Sequence, residues 1–246
     1  MTALRKIMLI GLGLAVSACT AVDVPTRNAP YEVLPNGATQ LPEGYEAAHN
    51  RVAPRENAVV SRQAVVPSTS DLPSAGAPVS VESVTVRVPR SLKVSERNSY
   101  LPAGDIVWRE DPIGDRHAQV QKIVQDALVR GASQLNGPVK VDVDVQVARF
   151  HALTEKARYT TGGVHAITFD LALKDPETGE LLVPVRRIRA DLDAFGGQQA
   201  INAEARGLTQ KVRISNHLAE VIRQELTNPE GYKNASLGFY QLLNTL

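Results

Sequence analysis

The sequence predicts an α+β fold: a single domain over residues 80–246, built from a largely antiparallel sheet with two helices on one face. Three observations predict it. Val139, Val141, Val143, Val145 and Val147 alternate with Lys140, Asp142, Asp144 and Gln146, the two-residue period of a strand with one buried and one wet face. Stretches on either side repeat apolar residues at helical spacing. Asp175-Pro176-Glu177-Thr178-Gly179 sits between two strand-like runs and supplies a tight hairpin turn, with Gly where a positive φ is wanted. The order strand, strand, helix, three-stranded meander, helix then places both helices on one face.

Residues 1–18 stand apart from this domain. Arg5-Lys6 precedes an apolar run from Ile7 to Val16, and the small residues Ser17 and Ala18 follow. A charged start, a short apolar centre and small residues before a cut describe a secretory signal peptide. The run falls below the ~18–20 residues of a spanning helix, and Ser17, Thr20 and Asp23 end it. Cys19, the one cysteine, would become the first residue after cleavage. Val16-Ser17-Ala18-Cys19 resembles the lipobox of bacterial lipoprotein precursors. The resemblance implies that Cys19 is diacylated on its thiol and acylated on its freed amine, and several chains on one residue give lasting attachment where one gives marginal binding. Thr20 rather than Asp follows Cys19, which by the sorting rule of enteric bacteria implies the outer membrane, with the domain facing the periplasm.

Residues 19–79 read as the lipidated cysteine and a disordered tether. Pro25, Pro30, Pro35, Pro42, Pro54, Pro67, Pro73 and Pro78 punctuate them, and no apolar period persists. Such a stretch cannot bury enough apolar surface to offset the entropy lost on ordering. Extended like polyproline, it would reach on the order of 190 Å; as a flexible coil its ends average ~45 Å apart. Tyr31 and Tyr45 are the tether residues that a partner could recognise.

Within the domain, Val84, Val86 and Val88 alternate with Thr85 and Arg87, and Leu92 and Val94 keep that parity; Pro89 makes this an edge strand or splits it. Asp105 to Trp108 forms a short second strand. Asp111-Pro112 is a helix-start signal, because proline lacks only a donor that the first turn leaves unused. The helix it opens carries Ile113, Val120, Ile123, Val124, Ala127, Leu128 and Leu135 on one face and Gln121, Lys122, Gln125 and Asp126 on the other, and Asn136-Gly137-Pro138 stops it. The valine strand then turns back through residues 156–163. The next strand points Ile167, Phe169, Leu171 and Leu173 inward, and Thr168, Asp170 and Lys174 outward. The returning strand, 181–195, changes parity between Val185 and Ile188, which a β-bulge at Arg186-Arg187 would reconcile. After Gly196-Gly197, one long helix would carry Ile201, Ala205, Leu208, Val212, Ala219, Ile222 and Leu226 to Asn228-Pro229, with a further short helix within 235–246.

Composition narrows the function classes. The chain has 27 basic and 26 acidic residues, and loss of Arg5 and Lys6 with the signal leaves 25 against 26, so it offers no electrostatic footprint for nucleic acid. Its single cysteine excludes an intramolecular disulfide despite an oxidising compartment. No nucleophile elbow, phosphate-cradling glycine loop or zinc-binding spacing occurs among its residues. His49, His117, His151, His165 and His217 are scattered, and no cofactor or metal is expected. Asp142 and Asp144 share a strand face ~7 Å apart, a spacing open to acid and base roles; the simpler reading is that they are solvated and paired with Arg186, Arg187 or Arg189. Trp108, the one tryptophan, either anchors a partner or pins helix to sheet. The glycine pairs 162–163 and 196–197 read as turn devices.

Val88-Pro89-Arg90-Ser91-Leu92-Lys93-Val94-Ser95-Glu96, Asp105-Ile106-Val107-Trp108-Arg109, Asp111-Pro112 and Gly114-Asp115-Arg116 resemble the motifs of a family of uncharacterised alphaproteobacterial lipoproteins. More distantly, residues 80–227 resemble in architecture the auxiliary lipoproteins of ABC-type transporters, which implies a fold more than a function; the long Pro-rich tether departs from that pattern. The expectation is a non-enzymatic envelope lipoprotein that binds another envelope protein as an accessory or assembly component. The alternative is a periplasmic carrier for a lipid or small molecule, with an enzyme built on Asp142 and Asp144 as a third reading.

Overall fold

The computed structural model describes residues 78–238 and Gln241. Cys19, its lipobox residues Val16, Ser17 and Ala18, and the tether up to residue 77 lie outside the described residues. No helix among the described residues is long and apolar enough to cross a membrane.

The sheet has six strands: β1 (Val79–Arg87), β2 (Ile106–Val107), β3 (Val139–His151), β4 (Gly163–Lys174), β5 (Arg186–Arg189) and β6 (Leu192–Ala194). Its order is β1-β3-β4-β5; β2 extends the β1 side against the far end of β3, and β6 pairs with the start of β4. β1 and β2 run parallel to β3, and the β3–β4, β4–β5 and β4–β6 pairs are antiparallel. The helices are α1 (Arg116–Ala132), the single turn α2 (Glu155–Arg158), α3 (Gly197–Ala205) and α4 (Gln210–Thr227).

One apolar layer holds the elements together. Val141, Val143, Val145 and Val147 of β3 and Ile167, Phe169 and Leu171 of β4 are buried with Val120, Ile123, Val124 and Leu128 of α1 and Ile214, Leu218, Val221 and Ile222 of α4. Each such side chain contributes about 1.5–3 kcal/mol when taken fully out of water. Ala148 is an extra residue in β3 between the paired Val147 and Arg149, and this bulge returns Phe150 to the helix side opposite Ile167. The two long helices meet at Gly131, where a Cβ would stand 2.2 Å from the Ala219 carbonyl oxygen. Only a residue without a side chain permits that approach.

Several elements depart from the sequence-based expectation. α1 begins at Asp115, not Asp111: the Asp115 carboxylate accepts from Ala118 N–H, and Ile113, outside the helix, is 90% exposed. Gln121 and Gln125 do not face water. Gln121 donates to the Val86 carbonyl, while Gln125 accepts from Val86 N–H and donates to the Val84 carbonyl. These side chains occupy ladder groups of edge strand β1 that another strand would otherwise seek. Beyond Arg87 the chain leaves the sheet at Pro89, and Val94 returns as an isolated bridge to Ile106.

The returning strand carries no bulge at Arg186-Arg187. β5 and β6 pair with β4 in one continuous register, interrupted at Ala190-Asp191, and the offset falls before Arg186, where Pro184 lacks a ladder donor. The long second helix is two helices, α3 and α4, broken at residues 206–209 with Gly207 at φ +77° and Thr209 capping α4. Ile201, Leu208 and Val212 are accordingly exposed, and Ile214, Leu218 and Val221 form the buried stripe.

Candidate functional site

The face of the sheet away from α1 and α4 is polar, yet much of it is dry. Asp144, Gln146, Arg149, His151 and Asp170 are all buried, so the wet face expected of β3 is wet only near Lys140. Asp144 pairs with Arg87 at 3.2 Å and with Lys174 at 2.5 Å, and Arg87 also donates to Gln146. Asp142 accepts from the Ser83 hydroxyl at 2.7 Å. Of the three arginines expected to pair with these carboxylates, Arg187 instead forms a two-bonded pair with Asp170, and Arg186 crosses to Glu225 of α4. Asp142 and Asp144 are thus members of a cross-strand polar ladder, each with its own partner.

At the far end of this face lies an apolar recess of about 210 Å³, lined by Tyr100, Leu101, Pro102, His151, Ala152, Leu153, Thr154 and residues 161–164. Its floor is the end of β3 with residues 152–154, and the start of β4. Its wall is the loop 95–104, where Leu101 is 63% exposed. Two contacts from α2 hold that wall: the Thr154 hydroxyl donates to the Ser99 carbonyl at 2.9 Å, and Lys156 N–H donates to Asn98 Oδ1 at 2.9 Å. Lys156 Nζ also lies 4.7 Å from the centre of the Tyr100 ring. His151 closes the back. Its Nδ1 accepts from Arg149, which can only donate, so its Nε2 carries the hydrogen given to the Gly104 carbonyl at 2.9 Å. Across the recess, the turn at Gly162 packs on Gly196 so tightly that a Cβ on Gly196 would fall 2.1 Å from Gly162 N. Gly162 and Gly196 thus bring two turns into close backbone contact, and Gly162 and Gly163 also line the recess.

Behind the recess wall runs a belt of ion pairs. Arg116, buried at the start of α1, bonds Glu96 at 2.6 Å and the carbonyls of Asp111 and Pro112. Arg109 bonds Glu155 at 2.6 Å, and Arg90 grips Asp115 with two bonds of 2.8 and 2.7 Å. The Arg116 hydrogen bond holds Glu96 below the usual carboxylate range, and Arg90 together with Ala118 N–H holds Asp115 down at about 2. At Asp111, burial pushes the carboxyl up, but hydrogen bonds from Lys211 and Trp108 bring it below its ordinary value. His117 bonds the Leu92 carbonyl at 3.1 Å and is a packing residue.

Trp108 belongs to this belt. It is fully buried, its ring edge-on to Phe150 at 5.8 Å, and its Nε1–H donates to Asp111 at 2.8 Å. Its ring therefore pins the α1 approach to the sheet and leaves no face for a partner to touch. From the motif stretches quoted above, Arg90, Glu96, Trp108, Arg109, Asp111, Asp115 and Arg116 all make contacts within this belt. Among the described residues no group of three or more His, Cys, Asp or Glu is placed to hold a metal.

Sequence reasoning missed the recess. Its one signal was Tyr100-Leu101-Pro102, an apolar step inside an otherwise polar loop. It also passed over His165, whose odd number shares the inward parity of Ile167 and Phe169.

Comparison with solved structures finds distant likenesses. A candidate lipoprotein of Caulobacter crescentus CB15 is 16% identical over 46% of this chain and 84% of its own, with a TM-score of 0.29. A Xanthomonas campestris protein of family DUF330 is 10% identical over 64% and 86%, with a TM-score of 0.35. The PelC dodecamer of Paraburkholderia phytofirmans is 13% identical over 65% and 91%, with a TM-score of 0.26. A search of curated protein sequences returns no match. The profile of a family of unknown function, DUF6778, matches residues 79–242, from the first strand of the sheet to beyond the last described helix, and the chain belongs to that family.

Proposed function

We propose that this protein is an accessory lipoprotein of the bacterial envelope, held by acylated Cys19 in the outer membrane and presenting its domain to a protein partner in the periplasm. The observation that carries the reading is the run Ile7–Val16 followed by Ser17-Ala18-Cys19, with the chain's one thiol at the predicted cut. The recess gives the domain a place to bind. At about 210 Å³ it lies below the ~300–1,000 Å³ of small-molecule pockets. It matches one or two apolar side chains of a partner, the kind of anchor that dominates interface energetics. Crosslinking of the acylated protein in membranes, followed by purification, should recover one stable partner, and Leu101→Asp should abolish its recovery. Repeated recovery of the protein alone would overturn the proposal. Cys19→Ser should remove labelled palmitate and release the protein from membranes.

The apolar lining also favours a second reading, a carrier for a lipid or small molecule. Native mass spectrometry of the full chain would reveal a co-purifying ligand under that reading and bare protein under the first.

A further inference from the structure

His165 stands on β4 facing the helix side and is fully buried, yet neither ring nitrogen has a hydrogen-bond partner. Its ring borders a second, much smaller void of about 10 Å³, shared with Arg158 of α2, Glu204 of α3, Gln210 and Arg213 of α4, and Phe195 after β6. Arg158 Nε and Glu204 Oε1 lie 3.1 Å apart as an ion pair, but each is buried and neither makes a well-formed hydrogen bond. Three elements thus bring polar groups to one void: the Arg158–Glu204 ion pair, whose facing atoms make no well-formed hydrogen bond, and the His165 ring, which makes none through either nitrogen.

Size and chemistry together select the ligand. A void of about one probe sphere admits one water when two to four polar groups line it. An anion would meet the Glu204 carboxylate, and a cation would meet Arg158 and Arg213. We propose that this void is a binding site for a single water molecule, which accepts from Arg158 Nε–H, donates to Glu204 Oε1 and shares its third hydrogen bond with His165. The water joins α2 and α3 to β4. α3 gains most from it, since Ala200 and Ala203 are the buried residues of that helix.

A high-resolution crystal structure of the full chain, with a second crystal soaked in bromide, tests the site. The expected result is an ordered solvent peak within hydrogen-bonding distance of a His165 nitrogen and of Arg158 or Glu204, with no bromide signal there. An empty void, a peak touching none of these atoms, or an anomalous bromide peak would overturn the proposal. In solution, a water held there should give nuclear Overhauser cross-peaks to the methyl groups of Ala200 or Ala203; their absence would likewise count against it.

Discussion

Two regions of the domain are built by opposite means. The layer between α1, α4 and the sheet is closed by aliphatic side chains with hardly any surface exposed, whereas the belt and recess end is closed by arginines gripping carboxylates around a loop. Burial of apolar surface accumulates with area and supports the whole fold. Solvent-facing ion pairs such as Arg90–Asp115 are screened and contribute ~0–1 kcal/mol each. The first region therefore sets global stability, and the second sets local geometry at the candidate binding surface.

The comparison breaks most sharply at the helix crossing. Leu218→Ala, in the fully buried stripe of α4, should cost about 2–5 kcal/mol in denaturant unfolding. Gly131→Ala drives a methyl toward the Ala219 carbonyl and the Ile222 side chain, and should cost about 1–3 kcal/mol or more. If either variant kept its unfolding midpoint, the apolar layer would not be what holds the domain together.

This contrast also explains what was legible beforehand. Val139 to Val147 and Ile167 to Leu173 announced their strands because one buried face imposes a two-residue period, and the core stripe of α1 followed from a 3.6-residue period. The belt has no period. Asp111-Pro112 carries a helix-start pattern, but the Asp111 carboxylate is taken by Trp108, three residues before it, and by Lys211 from the far end of the domain, and Asp115 caps instead. Gln121 and Gln125 look like solvent-facing residues until β1 is placed beside them. Asp144 and Gln146 read as wet because nothing local shows that Arg87 and Lys174 will close over them. The recess joins residues 100–102 to residues 151–164, about fifty positions further along the chain, so no single window contained it.

A pH dependence sharpens the comparison, because one of its sources is His165, fully buried on β4 away from the belt. Burial, and then the nearby Arg213, His217 and Arg158, push His165 down to about 3 from an ordinary 6.5. Between those values the unfolded chain binds a proton that the native state refuses, so stability rises with pH across that window. The contribution is fully present above about pH 6.5 and is lost progressively as pH falls toward 3, reaching roughly 4 kcal/mol at the acid end. Burial lowers His117 and His217 as well, with the same sign. Urea unfolding at pH 7 and pH 4.5 should show the loss in the native protein and a shallower one in His165→Leu. Equal slopes would exclude His165 as the source.

Within the belt, Arg116→Ala removes a buried guanidinium from Glu96 and from two carbonyls, and should cost about 1.5–3 kcal/mol. Its distinctive effect is local. Amides of the loop 95–104 should exchange faster by about tenfold while those of β3 and β4 follow global stability. Exchange that quickened evenly across the sheet would assign the belt to the core rather than to the recess.

The smallest effect on stability falls at the recess rim and separates binding from folding. Leu101 is largely in water, so Leu101→Ala should change unfolding free energy by less than about 0.5 kcal/mol. If the recess receives a partner's side chain, the same substitution removes one wall of the site and should weaken capture of that partner about tenfold or more. Lys156→Ala, which releases the Tyr100 ring on the opposite side, should weaken it less, because an exposed cation–π contact contributes only ~0.5–1 kcal/mol. Partner capture indifferent to both changes would move the binding surface away from the recess and leave this end of the domain with a purely structural role.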